Sequence, residues 1–221
     1  ISPEVKSKFP GTTFAYTIIK GVKIHKSSPE LEQLKQDLVD SKKDLTTEDI
    51  QNVTSIKIYR QMFKETGVDY HSRRPSPEAL LRRIAQGKSL YNINTAVDAY
   101  NLAVIETGVG LGGFDYDQIT EPVVLRLSKS GETMHLLGDE SPSQTEEGEI
   151  VYADDKKLLT LDLNYRDINQ TKITDKTKNI ILFADGGPGI DPEMVTHALT
   201  RGAKYIHKFC GGEVGVIILV K

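Results

Sequence analysis

Apolar side chains recur at helical spacing through the first half of the chain and at strand spacing through the second. Leu31, Leu34 and Leu38 mark one face of a helix opened by Ser27-Ser28-Pro29-Glu30, with Ser27 and Glu30 at capping-box spacing and Pro29 in the first turn. Ile50, Val53 and Ile56 stripe a second helix, predicted to run unbroken from Thr46 to Gly67, with Thr46 and Asp49 as its start signal. Leu80, Leu81 and Ile84 belong to a third, for which Ser76 is the expected N-cap and Gly87 the stop. A fourth spans Asn94–Thr107, with Gly108 closing it. There Val97, Asn101 and Val104 share a face, so Asn101 is an amide set in an apolar stripe. A buried amide left unpaired costs about 1–3 kcal/mol, so Asn101 needs a partner. Upstream of these helices, Phe14–Ile24 is aromatic and β-branched and predicts a strand or a short hairpin around Gly21.

Beyond the fourth helix the period shortens. Val123–Ser128, Thr133–Leu137, Glu149–Ala153, Leu158–Tyr165 and Asn179–Ala184 are short strand candidates between Gly, Ser, Pro and Asp clusters. Asp191-Pro192-Glu193 starts a helix toward His207 that holds Gly202, a potential break, and Glu213–Val220 predicts one last strand. Helices and strands are grouped and do not alternate, which predicts an α+β fold. The expected architecture is one compact domain over residues 1–221: an N-terminal strand and helices over 1–70 and a core over 71–221. Its helices lie in the N-terminal half, and a mixed, mostly antiparallel sheet lies in the C-terminal half.

Length and composition add limits. The 221 residues suffice for a real core, and 38% hydrophobic with 27% charged residues is ordinary for a globular protein. No apolar run approaches a membrane span, and the first residues have no apolar segment of a secretory signal. One cysteine, Cys210, excludes an internal disulfide, so a cytoplasmic setting is expected. The net charge of −3 provides no overall basic field for indiscriminate nucleic-acid binding, and neither DNA nor a membrane is an expected partner. Locally, Arg73, Arg74, Arg82, Arg83 and Lys88 stand against a single acid, Glu78, over His71–Lys88. Lys172, Lys176 and Lys178 follow Arg166 in a second basic stretch.

Gly108-Val109-Gly110-Leu111-Gly112-Gly113 satisfies G-x-G-x-x-G, yet it follows a helix, where a dinucleotide site needs a strand before it and a helix after it. These glycines are better read as a backbone that approaches something closely. The five histidines show no familiar metal-ligand spacing, and neither a metal nor another cofactor is expected. The strongest polar constellation is Asn164-Tyr165-Arg166-Asp167, followed by Thr171, Thr174 and Thr177. Arg166 suits a phosphate or carboxylate and Asp167 an ammonium; a salt-bridged turn after a strand explains the same residues.

The ordered pieces Arg74–Leu80, Ile93–Asn101, Gly113–Ile119, Leu125-Arg126, Gly131-Glu132, Gly148–Tyr152 and Arg166-Asp167 with Thr171–Thr177 cover about half the chain. Together they resemble the editing (B3/B4) domain of the phenylalanyl-tRNA synthetase β subunit, and most closely its free-standing versions. Nothing resembles an aminoacylation core. The resemblance implies hydrolysis, in trans, of an amino acid wrongly attached to tRNA, the family example being tyrosine on the phenylalanine tRNA. The chemical need is clear: an apolar pocket rejects an added hydroxyl poorly, so a second site must remove the error. Substrate-binding positions carried over or read as pocket wall are Asn101, Gly110, Gly112, Gly113, Asp115, Arg126, Arg166, Asp167, Thr171 and Thr174. Those for tRNA are Arg73, Arg74, Arg82, Arg83 and Lys172. The synthetase-borne domain reads His-Ala-Phe-Asp where this chain has Gly112-Gly113-Phe114-Asp115, so no catalytic residue is assigned. The alternatives are a non-catalytic tRNA-binding or protein-interaction module and a small-molecule amino-acid binder. The amino acid, the tRNA and the oligomeric state are left open.

Overall fold

Helices come first because the early apolar stripes are three and four residues apart. The structure, a computed structural model, describes residues 1–221. It opens with α1 (Pro3–Lys8) and β1 (Phe14–Lys20), then α2 (Pro29–Lys42), α3 (Thr47–Asn52), α4 (Thr54–Glu65), α5 (Ser76–Ala85) and α6 (Thr95–Thr107). Short strands follow: β2 (Leu111–Asp115), β3 (Val124–Leu127), β4 (Thr133–Met134), β5 (Ser143–Gln144), β6 (Ile150–Ala153), β7 (Thr160–Leu161) and β8 (Arg166–Asp167). The long β9 (Asn179–Asp185), α7 (Pro192–Cys210), β10 (Glu213–Val214) and β11 (Ile218–Val220) complete the chain. The fold is α+β.

The main sheet runs β10-β1-β9-β2, with β11 also on β1, and every pairing is antiparallel. β9 is central and buried on both faces, as its run Ile180-Ile181-Leu182-Phe183-Ala184 requires. On one face α6 and α7 pack together over the sheet. Gly202 sits at that crossing. A Cβ there would lie 2.5 Å from Leu111 Cδ2 and 3.2 Å from Leu182 Cδ2, so the glycine permits close contact, and α7 passes through it unbroken, contrary to the sequence expectation. On the other face Phe183 meets Tyr152 of β6, ring centroids 5.2 Å apart, and Phe114 at 5.8 Å.

Five further expectations are corrected. The helix predicted over 46–67 divides at Val53, whose backbone is extended (ψ 123°). The break brings the Val53 side chain against Gly108 and lets the Ser55 hydroxyl donate to the Gly108 carbonyl at 2.5 Å, tying α4 to the end of α6. Ser28, not Ser27, precedes α2, with no side-chain cap, and Pro75 precedes α5, so Ser76 lies within the first turn. The strand predicted over 158–165 pairs only at Thr160–Leu161, because Asp162 (φ 50°) and Leu163 (φ 58°) take left-handed conformations that end it. The last strand divides into β10 and β11 around Gly215, whose N–H donates to Ile18 at 2.8 Å. Other signals stand as read. Thr46 and Asp49 form a reciprocal capping box, Asn94 caps α6 through Ala96 and Val97, and Gly108 ends α6 in the left-handed region.

Candidate functional site

α6, β2 and the segment after β7 converge on a cavity of about 110 Å³. Tyr100 and Asn101 face it from α6, Gly112 and Phe114 from β2, and Asn164–Asp167 from the turn and β8. Phe183 and Asp185 of β9 and Tyr152 of β6 close it below. The sequence pattern explains the placement. The helical period puts Asn101 one turn from Val97 and Val104, and β2 is an edge strand bonded only to β9. Gly110 is required by space, since a Cβ would stand 2.5 Å from the Asn164 amide nitrogen. Gly112 is not: a Cβ there would meet only the Phe114 ring at 3.7 Å and Asp167 Oδ1 at 3.9 Å, ordinary contacts. Gly112→Ala is therefore expected to raise stability by about 0.4–1 kcal/mol through the unfolded chain, while Gly110→Ala lowers it. Thermal melts of the two variants check this, and equal losses would contradict it.

The polar groups in the cavity are unusual. Asp185 is 3% exposed and accepts a hydrogen bond from the Tyr152 hydroxyl at 2.8 Å. Its backbone carbonyl accepts from Tyr59 at 2.6 Å. Burial pushes its carboxyl up to about 7, against the pull of Tyr152 and Asn164, with the Asp167 charge adding to the lift. Asp167, half-buried, lines the cavity, and burial is the one cause that raises its carboxyl, to about 7. Asn164 is 8% exposed. It lies near enough to Asp185 to favour the ionised form, yet neither amide atom makes a hydrogen bond of good geometry. The Ser76 hydroxyl, also on the lining, is buried without a partner. Buried polar groups without partners are rare, and here several face one space.

These carboxyls set a pH dependence. Asp162, outside the cavity, is likewise raised to about 7, chiefly by burial. For all three, the folded chain binds a proton more tightly than the ordinary 3.8 of an aspartate. Between about 3.8 and 7 the folded state holds more protons than the unfolded one, so stability falls as pH rises through that window and levels off above it. Asp154 and Glu132 are lowered and act oppositely, but only below their ordinary values of 3.8 and 4.5. Urea midpoints are therefore expected to be higher at pH 5 than at pH 8, and the reverse order would contradict the assignment.

A larger groove of about 740 Å³ adjoins the cavity and shares Tyr165 and Arg166 with it. Arg74, Arg82, Arg83 and Lys88 line it, together with Tyr91, which is 54% exposed. The Arg83 guanidinium stands 3.9 Å from the Tyr91 ring centroid. Glu78, fully buried, sets the wall: it takes Arg60 through two bonds of 2.8 and 2.9 Å and Arg82 at 2.7 Å, with Arg74 at 3.9 Å. Glu78 thus fixes Arg60 and Arg82 and lies beside Arg74, and the groove is cationic because no acid is among its lining residues. No group of three or more His, Cys, Asp or Glu side chains converges as a metal site. No helix is long and apolar enough to cross a membrane.

A family model described as the B3/4 domain matches residues 58–211, well over half of the chain. The chain belongs to the B3/4 domain family. Among curated relatives, the phenylalanine–tRNA ligase beta subunit of Idiomarina loihiensis is 28% identical over 174 aligned positions, taking in 68% of this chain and 21% of that one. The same subunit of Psychrobacter arcticus is 30% identical over 151 positions, 58% of this chain and 19% of that one. The chain thus spans about a fifth of the length of these relatives. A solved N-terminal fragment of the phenylalanyl-tRNA synthetase beta-subunit from Pyrococcus horikoshii shares the fold: TM-score 0.51 and 15% identity over 96% of this chain and 48% of that one. The resemblance read from the ordered motifs is borne out.

Of the positions singled out in the B3/4 sequence, the structure gathers Asn101, Gly112, Arg166 and Asp167 around the cavity. Gly110 lies behind it, its N–H donating to Tyr59 at 3.2 Å, and Gly113 stands against Tyr100 and Ile173. Asp115 accepts from the Thr177 hydroxyl at 2.7 Å and is bound through its N–H to Thr171. Thr174 exchanges bonds with Lys176 and Thr177 in the same turn, and the Thr171 hydroxyl is buried. These residues brace the end of β2 and do not line the cavity. Arg126 is held by Glu132 through two bonds of 2.9 and 2.5 Å in a hairpin. Of the basic positions, Arg74, Arg82 and Arg83 line the groove, whereas Arg73 pairs with Glu149 and Asp162, and Lys172 is exposed away from the groove lining.

Sequence reasoning passed over Asp185, Tyr152 and Ser76. Asp185 ends an otherwise apolar strand, as Asp115 does in β2, and that is its only mark, because aspartate is also an ordinary turn former. Ser76 and Tyr152 carry no such mark, since their role depends on which elements meet.

Proposed function

We propose that the protein is an aminoacyl-tRNA editing-type hydrolase that acts in trans on mischarged tRNA. The observation that carries this reading is the continuity between the cationic groove and the small polar cavity through Tyr165 and Arg166. A groove lined by arginines and an exposed tyrosine suits a single-stranded acceptor end, with phosphates on Arg74, Arg82, Arg83 and Lys88 and a base stacked on Tyr91. The aminoacyl ester then enters the cavity. Hydrolysis needs a water, a base and donors for the developing oxyanion. Asp185 is the base in this reading: it lines the cavity, Tyr152 fixes it, and its acidity lies near neutral pH. The amides of Asn101 and Asn164 orient the water and the ester. The likeness to phenylalanine–tRNA ligase beta subunits supports tRNA as the partner and tyrosine on the phenylalanine tRNA as the first substrate to try. The protein would then work in the cytoplasm, where charged tRNA is made and used.

Gly112, bare where the resemblance places a histidine, favours a second reading, a tRNA-binding module without catalysis. A deacylation assay over a panel of mischarged tRNAs, run with the native protein and Arg83→Glu, separates them. The editing reading expects release of one class of amino acid, slowed by Arg83→Glu and weakened by added salt. Binding without release on any tRNA supports the second reading.

A further inference from the structure

Asp167 is a carboxylate without a partner. Nothing but burial acts on its acidity: no hydrogen bond and no charge compensates it. The nearest cation in sequence, Arg166, turns away, donating to Asp139 at 2.6 Å and to the Tyr165 hydroxyl at 3.0 Å. Asp167 nevertheless faces the cavity, among the rings of Tyr100, Phe114, Tyr152 and Phe183. Asn164, nine-tenths buried and unpartnered at both amide atoms, lines the same space. A lone carboxylate beside aromatic faces in a small cavity is complementary to one kind of group, a primary ammonium, which gains from the charge and from the ring faces together. The space left by Gly112 beside Asp167 gives that group room.

We propose that Asp167 is an ammonium subsite, so that the cavity accepts aminoacyl groups with a free α-amine and rejects those whose amine is acylated. This rests on the editing reading for the rest of the ligand but not on hydrolysis. Acylation removes the cation and leaves the half-buried Asp167 carboxylate facing an amide with no charge to match it, so the penalty falls on the whole ligand. The subsite also separates charged tRNA from tRNA whose amino acid carries a formyl, acetyl or peptidyl group. Acid weakens the ligand's hold, because protonating Asp167 removes its charge. The other titratable and charged groups facing this region are Asp185, hydrogen-bonded to Tyr152, then Tyr100, Tyr165 and Arg166, with Tyr59 on the Asp185 backbone behind them.

The test is calorimetric binding to the native protein at about pH 7.5, where Asp167, raised to about 7, is mostly ionised and α-amines, at about 7.7–8.0, are still mostly protonated. Glycinamide, alaninamide, phenylalaninamide and tyrosinamide are compared with their N-acetyl counterparts. At least one amide is expected to bind at least tenfold more tightly than its N-acetyl form. Asp167→Asn, checked for a melt no lower than the native one, is expected to abolish that difference, and the amide's affinity in the native protein is expected to fall at pH 5. Equal binding of the amide and N-acetyl forms, or no binding of any amide, overturns the proposal. A difference that survives Asp167→Asn overturns it too. None of these readouts needs tRNA, so an absence of deacylation would sink the editing reading while leaving this one standing.

Discussion

Arg73→Ala is expected to be strongly destabilising, costing about 3 kcal/mol, the lower end of the range for breaking a buried pair. Arg73 is the shared cation of Glu149 and Asp162, whose side chains are only 3% and 1% exposed. Its 2-to-1 arrangement already leaves one acid in excess, and removing the guanidinium would strand both. Arg73 itself is 35% exposed, so water moderates the loss. The triad also holds the left-handed turn at Asp162–Leu163, which delivers Asn164–Asp167 to the cavity. The deficit has a pH signature: acids that can take up a proton relieve the missing cation, so the loss is smaller at pH 5 than at pH 8. Urea unfolding of the native protein and the variant at both values reads it. A loss below about 1 kcal/mol at pH 8 would mean that the triad is ordinary surface pairing.

Asp185→Asn is expected to move stability and activity in opposite directions. Asparagine keeps an oxygen for the Tyr152 hydroxyl and removes a charge that burial disfavours, so stability at pH 8 should rise by about 0.5–2 kcal/mol. The pH dependence between 3.8 and 7 should flatten in the same variant. Loss of the base should slow ester hydrolysis by about 10²-fold or more, the usual contribution of a positioned general base. A structural aspartate would show the stability change without the rate change. A drop in both would mean that Asp185 holds the cavity together and does not act on the ester.

The fold was legible where local rules sufficed. Thr46 with Asp49 and Asn94 with Gly108 mark true helix ends, since a cap depends on a few neighbouring backbone groups. Gly202 was misread because a glycine inside a helix costs helix stability in isolation, and only the packing of Leu111 and Leu182 explains it. Val53 was misread likewise: its apolar side chain fits the helical stripe, but its contact with Gly108 lies across the fold. The cavity was half legible. Asn101 declared itself as an amide in an apolar face, and Arg166-Asp167 as a polar cluster after a strand. Their partners Asp185, Ser76 and Tyr152 come from distant elements, and sequence spacing does not report such meetings. Arg126 and the Thr171–Thr177 turn have the same residue types as a ligand site, and the structure uses them to brace a hairpin and the end of β2.

The cavity at Asn101, fed by the basic groove, is proposed to release a wrong amino acid from tRNA. The most direct measurement is the time course of amino-acid release from tyrosyl-tRNA of the phenylalanine type, and from the wider mischarged panel, by the native protein and by Asn101→Ala. Release above the spontaneous rate is expected for at least one tRNA, with a loss of about 10-fold or more in Asn101→Ala, as for a removed polar contact to the reacting group. No release from any mischarged tRNA, or release unchanged by Asn101→Ala, would contradict it.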